Sequence, residues 1–253
     1  LPIHKVRGRG YQLASPLVLL SADEIARHVP APAWPVHIFD SIDSTNAEAL
    51  RLIEAGCTAP FLVLSEQQTA GRGRRGRKWV SPFAQNVYYS LVLRIDGGMR
   101  QLEGLSLVVG LAVMQALRDA GVRSAGLKWP NDVLVEKKKI AGILLELIGD
   151  PADVCHVVLG IGINVNMQKA DEVDQQWTSV YLETGGAVDR NYLVARLGVQ
   201  LQAYLDRHQS SGFSSIQSEW EQSHLWQGRP VSLIAGVNPI DGVVLGIDGQ
   251  GAL

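Results

Sequence analysis

Residues 71–79 read GRGRRGRKW, four arginines and a lysine spaced by glycines and closed by a tryptophan. Glycine lets backbone N–H groups approach an anion closely and permits positive φ. Arginine presents planar, bidentate donors to phosphate or carboxylate, and an indole offers a stacking face. The stretch suits a phosphate clamp. It also suits a solvated loop or an RNA-binding patch, and it is no P-loop, because GxxxxGK[ST] is absent. The whole chain carries 23 Lys+Arg against 25 Asp+Glu, a formal net charge of −2. The basic run is therefore a local device in a chain that is not generally cationic.

Four further stretches carry chemistry. KWPND (Lys128–Asp132) sets a cation, an aromatic ring, a rigid turn and a carboxylate within five residues. Lys128 there suits phosphate and Asp132 suits Mg²⁺, although a plain turn with exposed charges reads the same way. KKKIAGILLE puts Lys139 at the head of an apolar strand, where partial burial sharpens its effect on a reacting centre; Lys137 and Lys138 read as ordinary hairpin lysines. GIGIN (Gly160–Asn164) interrupts a good strand with glycines, as a bulge, a ligand against the backbone or tight packing would. DSTN (Asp43–Asn46) is a helix N-cap whose hydroxyls can also bind a small polar ligand.

These stretches must be held by a mixed α and β body. The pattern predicts strands over VHIFDSI, FLVLSE, NVYYSLVLRI and VCHVVLGIGINVN, and a hairpin through DVLVEKKKIAGILLELI that turns at its lysines. Helices follow over STNAEALRLIEAG, over residues 102–120 by their i, i+3, i+4 apolar spacing, and from Asn191 to about Ser223. Ser21 and Glu24 make a capping box before a short helix. Strands meeting in hairpins favour an antiparallel sheet backed by helices, an α+β fold. Basic strand–turn–strand sequence, IHKVRGRGYQL, opens the chain, Ser15-Pro16 breaks it, and APAWP reads as a linker. RPVSLIAG and GVVLGID read as short strands of a small β module. A hydrophobic content of 46% supplies a core. Cys57 and Cys155 lack metal-ligand spacing and read as reduced thiols of a cytoplasmic protein. LSLVVGLAVMQAL is too short to span a bilayer, and no secretory signal is visible. Opening at Leu1, the chain reads as a piece of a longer one.

Taken in order, DSTN, QQTAGRGRRGRKW, KWPND, KKIAGILLE and GIGINVN resemble the biotin–protein ligases, specifically the bifunctional bacterial type that also represses biotin-synthesis genes. The resemblance covers roughly residues 36–166 and weakens through WQGRPVSL. It implies the class II aminoacyl-tRNA synthetase/biotin ligase-like fold. It also implies four segments: 1–14 as the remnant of a winged-helix DNA-binding domain, 15–35 as a linker with a short helix, 36–224 as the catalytic domain, and 225–253 as the start of an SH3-like module. The activity implied joins biotin to ATP as biotinyl-5′-AMP, with Mg²⁺, then transfers biotin to a lysine of a biotin carboxyl carrier protein. Carried over residue by residue, Arg72, Lys128 and Lys139 are catalytic, with Lys139 bridging carboxylate and α-phosphate. Arg74, Arg75, Arg77, Trp79, Lys128, Asn131 and Asn164 bind ATP or adenylate, and Asp132 holds the metal. Ser44, Thr45, Gln68, Gly71, Arg72, Lys139, Gly142, Leu144, Gly160 and Gly162, with Tyr88, form the biotin pocket. The resemblance further implies a homodimer when adenylate is bound, no membrane, and operator-DNA binding only in the full-length form. The glycine-rich, self-repelling loop is expected to be mobile when empty. A lipoate ligase or octanoyltransferase shares the fold, but the first lacks the arginine-rich loop and the second needs a placed cysteine. A non-enzymatic nucleic-acid binder leaves KWPND and GIGIN without a role.

Overall fold

A computed structural model describes residues 3–13, 17–29, 34–96, 98–150, 154–234 and 238–253. The hairpin of β1 (Ile3–Val6) and β2 (Gly10–Leu13) precedes α1 (Ala22–Arg27). The body runs through β3 (Val36–Phe39), α2 (Thr45–Glu54), β4 (Phe61–Ser65), β5 (Val87–Ile95) and α3 (Leu105–Asp119). Next come β6 (Ala125–Lys128), β7 (Asp132–Val135), β8 (Lys138–Gly149) and β9 (Cys155–Ile163). Helices α4 (Val180–Thr184), α5 (Arg190–Ser211) and α6 (Ser214–Ser223) lead to a second hairpin, β10 (Pro230–Ile234) and β11 (Pro239–Val243). The Ser15-Pro16 break, the boundary placed there and linker residues 30–33 lie outside the described residues. No helix among the described residues is long and apolar enough to cross a membrane.

The central sheet has the order β3-β4-β5-β9-β8-β7-β6. Every neighbouring pair is antiparallel except β3 and β4, as the hairpin pattern led us to expect. Helices α3, α5 and α6 cover one face. Leu91 of β5, Leu159 of β9 and Ile143 of β8 meet Val109, Leu111 and Val113 of α3 in the main core. Each such fully buried side chain contributes about 1.5–3 kcal/mol. On the other face α2 closes a smaller cluster of Ala49, Phe61, Val63, Val92 and Val158.

Two expectations need correction, and one strand was not foreseen. The helix expected from Leu102 starts at Leu105, because Gly104 is left-handed (φ +62°) and 99–102 form a separate 3₁₀ turn. Strand β6, which the sequence pattern did not predict, runs up to KWPND at Lys128, pairs with β7 and ends the sheet. The strand expected over 242–248 ends at Val243: Gln217 Nε2 donates to Ile247 O, and Ile247 N donates to Glu221 Oε1. Side chains of α6 thus consume the polar groups that a strand partner would have used.

One buried ion pair joins the layers. Arg190 (2% exposed) at the start of α5 donates through Nη1 to Glu66 Oε2 at 2.6 Å, just past β4. Its Nη2 donates to Val18 O at 2.7 Å, and Glu66 Oε1 accepts from Leu20 N. Asn191 adds bonds to Leu19 O and Ser21 N, so the segment before α1 is tied to α5 by polar contacts. Removing one member strands the other charge, at a cost of about 3–5 kcal/mol. Urea denaturation should show that loss for Arg190→Met, with more than half recovered in Arg190→Met/Glu66→Leu. A single-variant loss below about 1 kcal/mol, the range of an exposed pair, would contradict this account.

Candidate active site

The site is laid out by strand register. Cross-strand partners share a face, and the pairs Tyr88↔Gly162, Gly162↔Gly142, Gly142↔Asp132 and Asp132↔Lys128 run in one row across β5, β9, β8, β7 and β6. The next row reads Ser90, Gly160, Leu144, and the next Val92, Val158, Glu146. Both lie on the face that α2 covers. Four motifs far apart in sequence meet here.

Lys139 joins this face through an irregularity. In a regular strand Lys139 and Gly142, three apart, would point to opposite sides. Between β7 and β8 the partners step from Val133↔Ala141 to Leu134↔Lys139, leaving Ile140 as an extra residue. Such a bulge re-aims a side chain, and the Lys139 Cε and Nζ lie against Gly142. The ammonium pairs with Asp132 Oδ1 at 2.7 Å and stands 5.3 Å from the Trp79 ring centroid, a cation–π distance. Its backbone is pinned by Gln176 O and Thr178 N, at 3.0 and 2.9 Å.

The glycines are answered by packing. There is no register shift at Gly160 or Gly162, so neither marks a bulge. A Cβ on Gly162 would lie 2.5–2.7 Å from the Trp79 indole, and one on Gly160 would lie 2.3 Å from Asn46 Oδ1. Gly71 is equally confined, with Trp79 O 2.7 Å from its absent Cβ.

A cleft of about 460 Å³, counted out to its open mouth, lies above these rows. Of the residues singled out from sequence, Ser44, Thr45, Gln68, Arg72, Arg74, Trp79, Tyr88, Asn131, Lys139, Gly142, Leu144, Gly160 and Gly162 line it. Ser44 occupies the N-cap position of α2 without making a cap hydrogen bond, so the capping reading of DSTN does not account for its hydroxyl. Thr45 N and Oγ1 both donate to Gln68 Oε1, at 2.9 and 3.1 Å, while Gln68 Nε2 donates to Ser81 Oγ at 3.2 Å. Ser90 Oγ donates to Asn46 Oδ1 at 2.6 Å and lies 2.7 Å from Thr45 Oγ1. Asn46 Nδ2 donates to Glu146 Oε2 at 2.7 Å, and Glu146 Oε1 stands 3.7 Å from Arg72 Nη2. Asn46 closes the DSTN motif and Glu146 closes KKIAGILLE, but sequence alone assigns neither a role, and Ser90 lies in no motif; only the two-residue alternation of β5 hints at it. Arg74 reaches Asn131 Oδ1 at 3.3 Å. The Tyr88 hydroxyl donates to Pro82 O at 2.9 Å, and burial pushes its pKa well above the usual phenol range.

Other expected residues stand apart. Arg75 and Arg77 are exposed, and Arg75 has left-handed backbone (φ 58°). Lys128 is exposed at the outer end of its row, 5.8 Å from the Trp226 ring centroid. Asn164 lines a second cleft of about 330 Å³ with Met167, Gln175 and Trp177. Its Nδ2 already donates to Thr178 O at 3.0 Å. Trp79 and Lys139 line both clefts. Among the described residues no group of three or more His, Cys, Asp and Glu side chains is placed to hold a metal. Cys155 is buried and Cys57 half-buried, and neither lines the first cleft.

The fold is α+β with a mostly antiparallel sheet, and residues 38–164 match the model of the biotin/lipoate A/B protein ligase family. The chain belongs to that family. The bifunctional ligase/repressor BirA of Salmonella typhimurium is 41% identical over 253 residues, 99% of this chain and 78% of that one. The biotin–[acetyl-CoA-carboxylase] ligase of Paracoccus denitrificans is 43% identical over 220 residues, covering 83% and 90% of the two chains. Among solved structures, the biotin protein ligase of Aquifex aeolicus in complex with biotin and ATP superposes with a TM-score of 0.75 at 31% identity, over 86% of this chain and 89% of that one.

If Gly162 is glycine because Trp79 lies on it, Gly162→Ala should cost about 1–3 kcal/mol, as overpacking does. In a Trp79→Ala background the same substitution should cost almost nothing. Equal costs in the two backgrounds, measured by thermal unfolding, would show that the contact is not what excludes a side chain.

Proposed function

We propose that this chain is an ATP-dependent biotin–protein ligase whose two clefts hold the two reactants on either side of Lys139 and Trp79. The observation that carries the reading is that these two side chains line both clefts. An acid and a triphosphate repel each other, so a ligase must hold cations between them and align the reacting atoms. A fixed ammonium at the junction does this.

In this reading the first cleft takes biotin. The unused Ser44 hydroxyl and the Gln68 amide meet its ureido group, with Thr45 and Gly71 positioning them. Tyr88, Gly142, Leu144, Gly160 and Gly162 shape the apolar slot, and Arg72 and Lys139 face the carboxylate. The second cleft, walled by the indoles of Trp79 and Trp177 with Asn164 beside them, takes the purine by stacking. Arg74, held by Asn131, and the exposed cations Arg75, Arg77 and Lys128 meet the phosphates. Asp132, whose Oδ1 pairs with Lys139, offers its other carboxylate oxygen to Mg²⁺. One carboxylate plus phosphate oxygens is a common Mg²⁺ environment, so the single donor fits. The ion neutralises phosphate charge when bound. The biotin carboxylate attacks the α-phosphorus, pyrophosphate leaves, and Lys139 stabilises the negative charge on the oxygens of both partners. The lysine amine of a biotin carboxyl carrier protein then attacks the acyl carbon of biotinyl-5′-AMP, and AMP leaves.

The finer organisation is also proposed. The β1–β2 hairpin, with Lys5, Arg7 and Arg9 exposed, is taken as the wing of an N-terminal winged-helix domain that binds operator DNA in the full-length form and represses in response to biotin. Residues 36–224 form the catalytic domain, and the β10–β11 hairpin begins an SH3-like module. The adenylate-loaded protein is proposed to be a cytoplasmic homodimer.

Biotin-dependent ATP–pyrophosphate exchange tests the reaction directly. Lys139→Ala and Arg72→Ala should each lower it about 10²–10³-fold, the loss for one preorganised charge-stabilising group. Exchange that followed lipoate and ignored biotin would reassign the substrate. Closure of the basic loop over bound ligands makes a second measurable claim: biotin plus ATP should slow tryptic cleavage within residues 72–78 at least tenfold. An unchanged rate would remove loop ordering from the mechanism.

A further inference from the structure

On the α2 face, outside the lining of the first cleft, stands a carboxylate that the reaction has not called upon. We propose that Glu146 is a positioning residue that sets acid specificity: it serves as the internal anion of Arg72, so that a ligand must bring its own carboxylate to claim the guanidinium. This role rests on the biotin reading of the first cleft. Arg72 lines that cleft and Glu146 does not, yet Arg72 Nη2 stands 3.7 Å from Glu146 Oε1. Glu146 follows Gly142 on the same face of β8, about 13 Å further along the strand. Lys139 Nζ, by contrast, lies 3.0 Å from the absent Cβ of Gly142. One carboxylate group cannot meet both cations where they stand, so an acid bound against Lys139 gains Arg72 only when Arg72 leaves Glu146.

Glu146 is built to stay while Arg72 moves. Its Oε2 accepts from Asn46 Nδ2 at 2.7 Å, and Asn46 Oδ1 accepts from Ser90 Oγ at 2.6 Å. Asn46 and Ser90 are both buried, so one oxygen of the carboxylate is anchored to the sheet and α2. The other faces Arg72, whose side chain is 51% exposed, across a gap longer than a hydrogen bond. A part-exposed pair of this kind is weak: it parks the guanidinium and yields it to a better-placed anion. The ligands of the reaction differ in charge. Biotin and its adenylate are anions, whereas the biotinyl amide formed on an acceptor lysine is neutral. Once the acyl group has been transferred, Glu146 recovers Arg72, and the site loses part of its hold on the product.

Titration calorimetry with biotin and with biotinol, the neutral alcohol on the same ring system, separates charge from fit. Glu146→Gln keeps an acceptor for Asn46 and removes the rival anion. Biotin should bind this variant about two- to fivefold more tightly than it binds the parent, the range for a part-exposed ion pair. Biotinol affinity should stay the same, which also reports an intact pocket. In an Arg72→Ala background Glu146→Gln should bring no gain for either ligand. The proposal is overturned if biotin binds Glu146→Gln no more tightly than the parent, or if biotinol gains as much as biotin. It is equally overturned if the gain survives in Arg72→Ala, since Glu146 would then repel any anion without acting through Arg72. A parent protein that did not bind biotin at all would remove the biotin reading of the cleft, and this role with it.

Discussion

Lys139 reaches the reacting centre because β8 carries one residue more than β7 can pair. The bulge at Ile140 turns the lysine to the α2 face, where Asp132 and the Trp79 ring receive it. Without that extra residue the ammonium would point toward the core between the sheet and α3, where an unpaired charge is prohibitively costly. The backbone clamp from Gln176 and Thr178 holds the irregularity in place. The segment carrying Trp177, a wall of the second cleft, thereby also fixes the lysine at the junction.

The site is a set of cations in a chain of net negative charge, and its electrostatics are local. Each cation that lines the first cleft has a polar partner: Asp132 beside Lys139, Glu146 beside Arg72, and Asn131 beside Arg74. These partners hold long side chains near where substrate charge will develop and reduce their mutual repulsion. Arg72 and Glu146 are partly exposed and 3.7 Å apart. An incoming carboxylate competes with such a loose pair far more easily than it would with a buried, bidentate one.

The two faces of the sheet do different work. Toward α3, α5 and α6 the strands bury a continuous apolar layer, reinforced by the Glu66–Arg190 pair that ties α5 to the edge of β4. Toward α2 the same strands alternate to Tyr88, Ser90, Gly160 and Gly162; Gly160 leaves room for Asn46 of α2, and Gly162 for Trp79 of the basic loop. Period-two alternation is what lets one strand serve core and chemistry at once.

The elements themselves were largely legible. The strands, the hairpin turning at the lysines and the three longer helices follow from apolar periodicity, and the parts of the site follow from five short motifs. What failed did so for tertiary reasons: β6 is too short to signal itself beside a turn, and Ile247 bonds to α6 side chains instead of a strand. By itself the sequence determined which residue types are available and the order in which they occur, because motif chemistry and local periodicity are short-range properties. Only the tertiary structure decided that Gly142 and Gly162 share a row with Asp132, that Lys139 faces them and that Trp79 covers them. Register and bulges are settled by long-range pairing between strands, which no local stretch of chain contains.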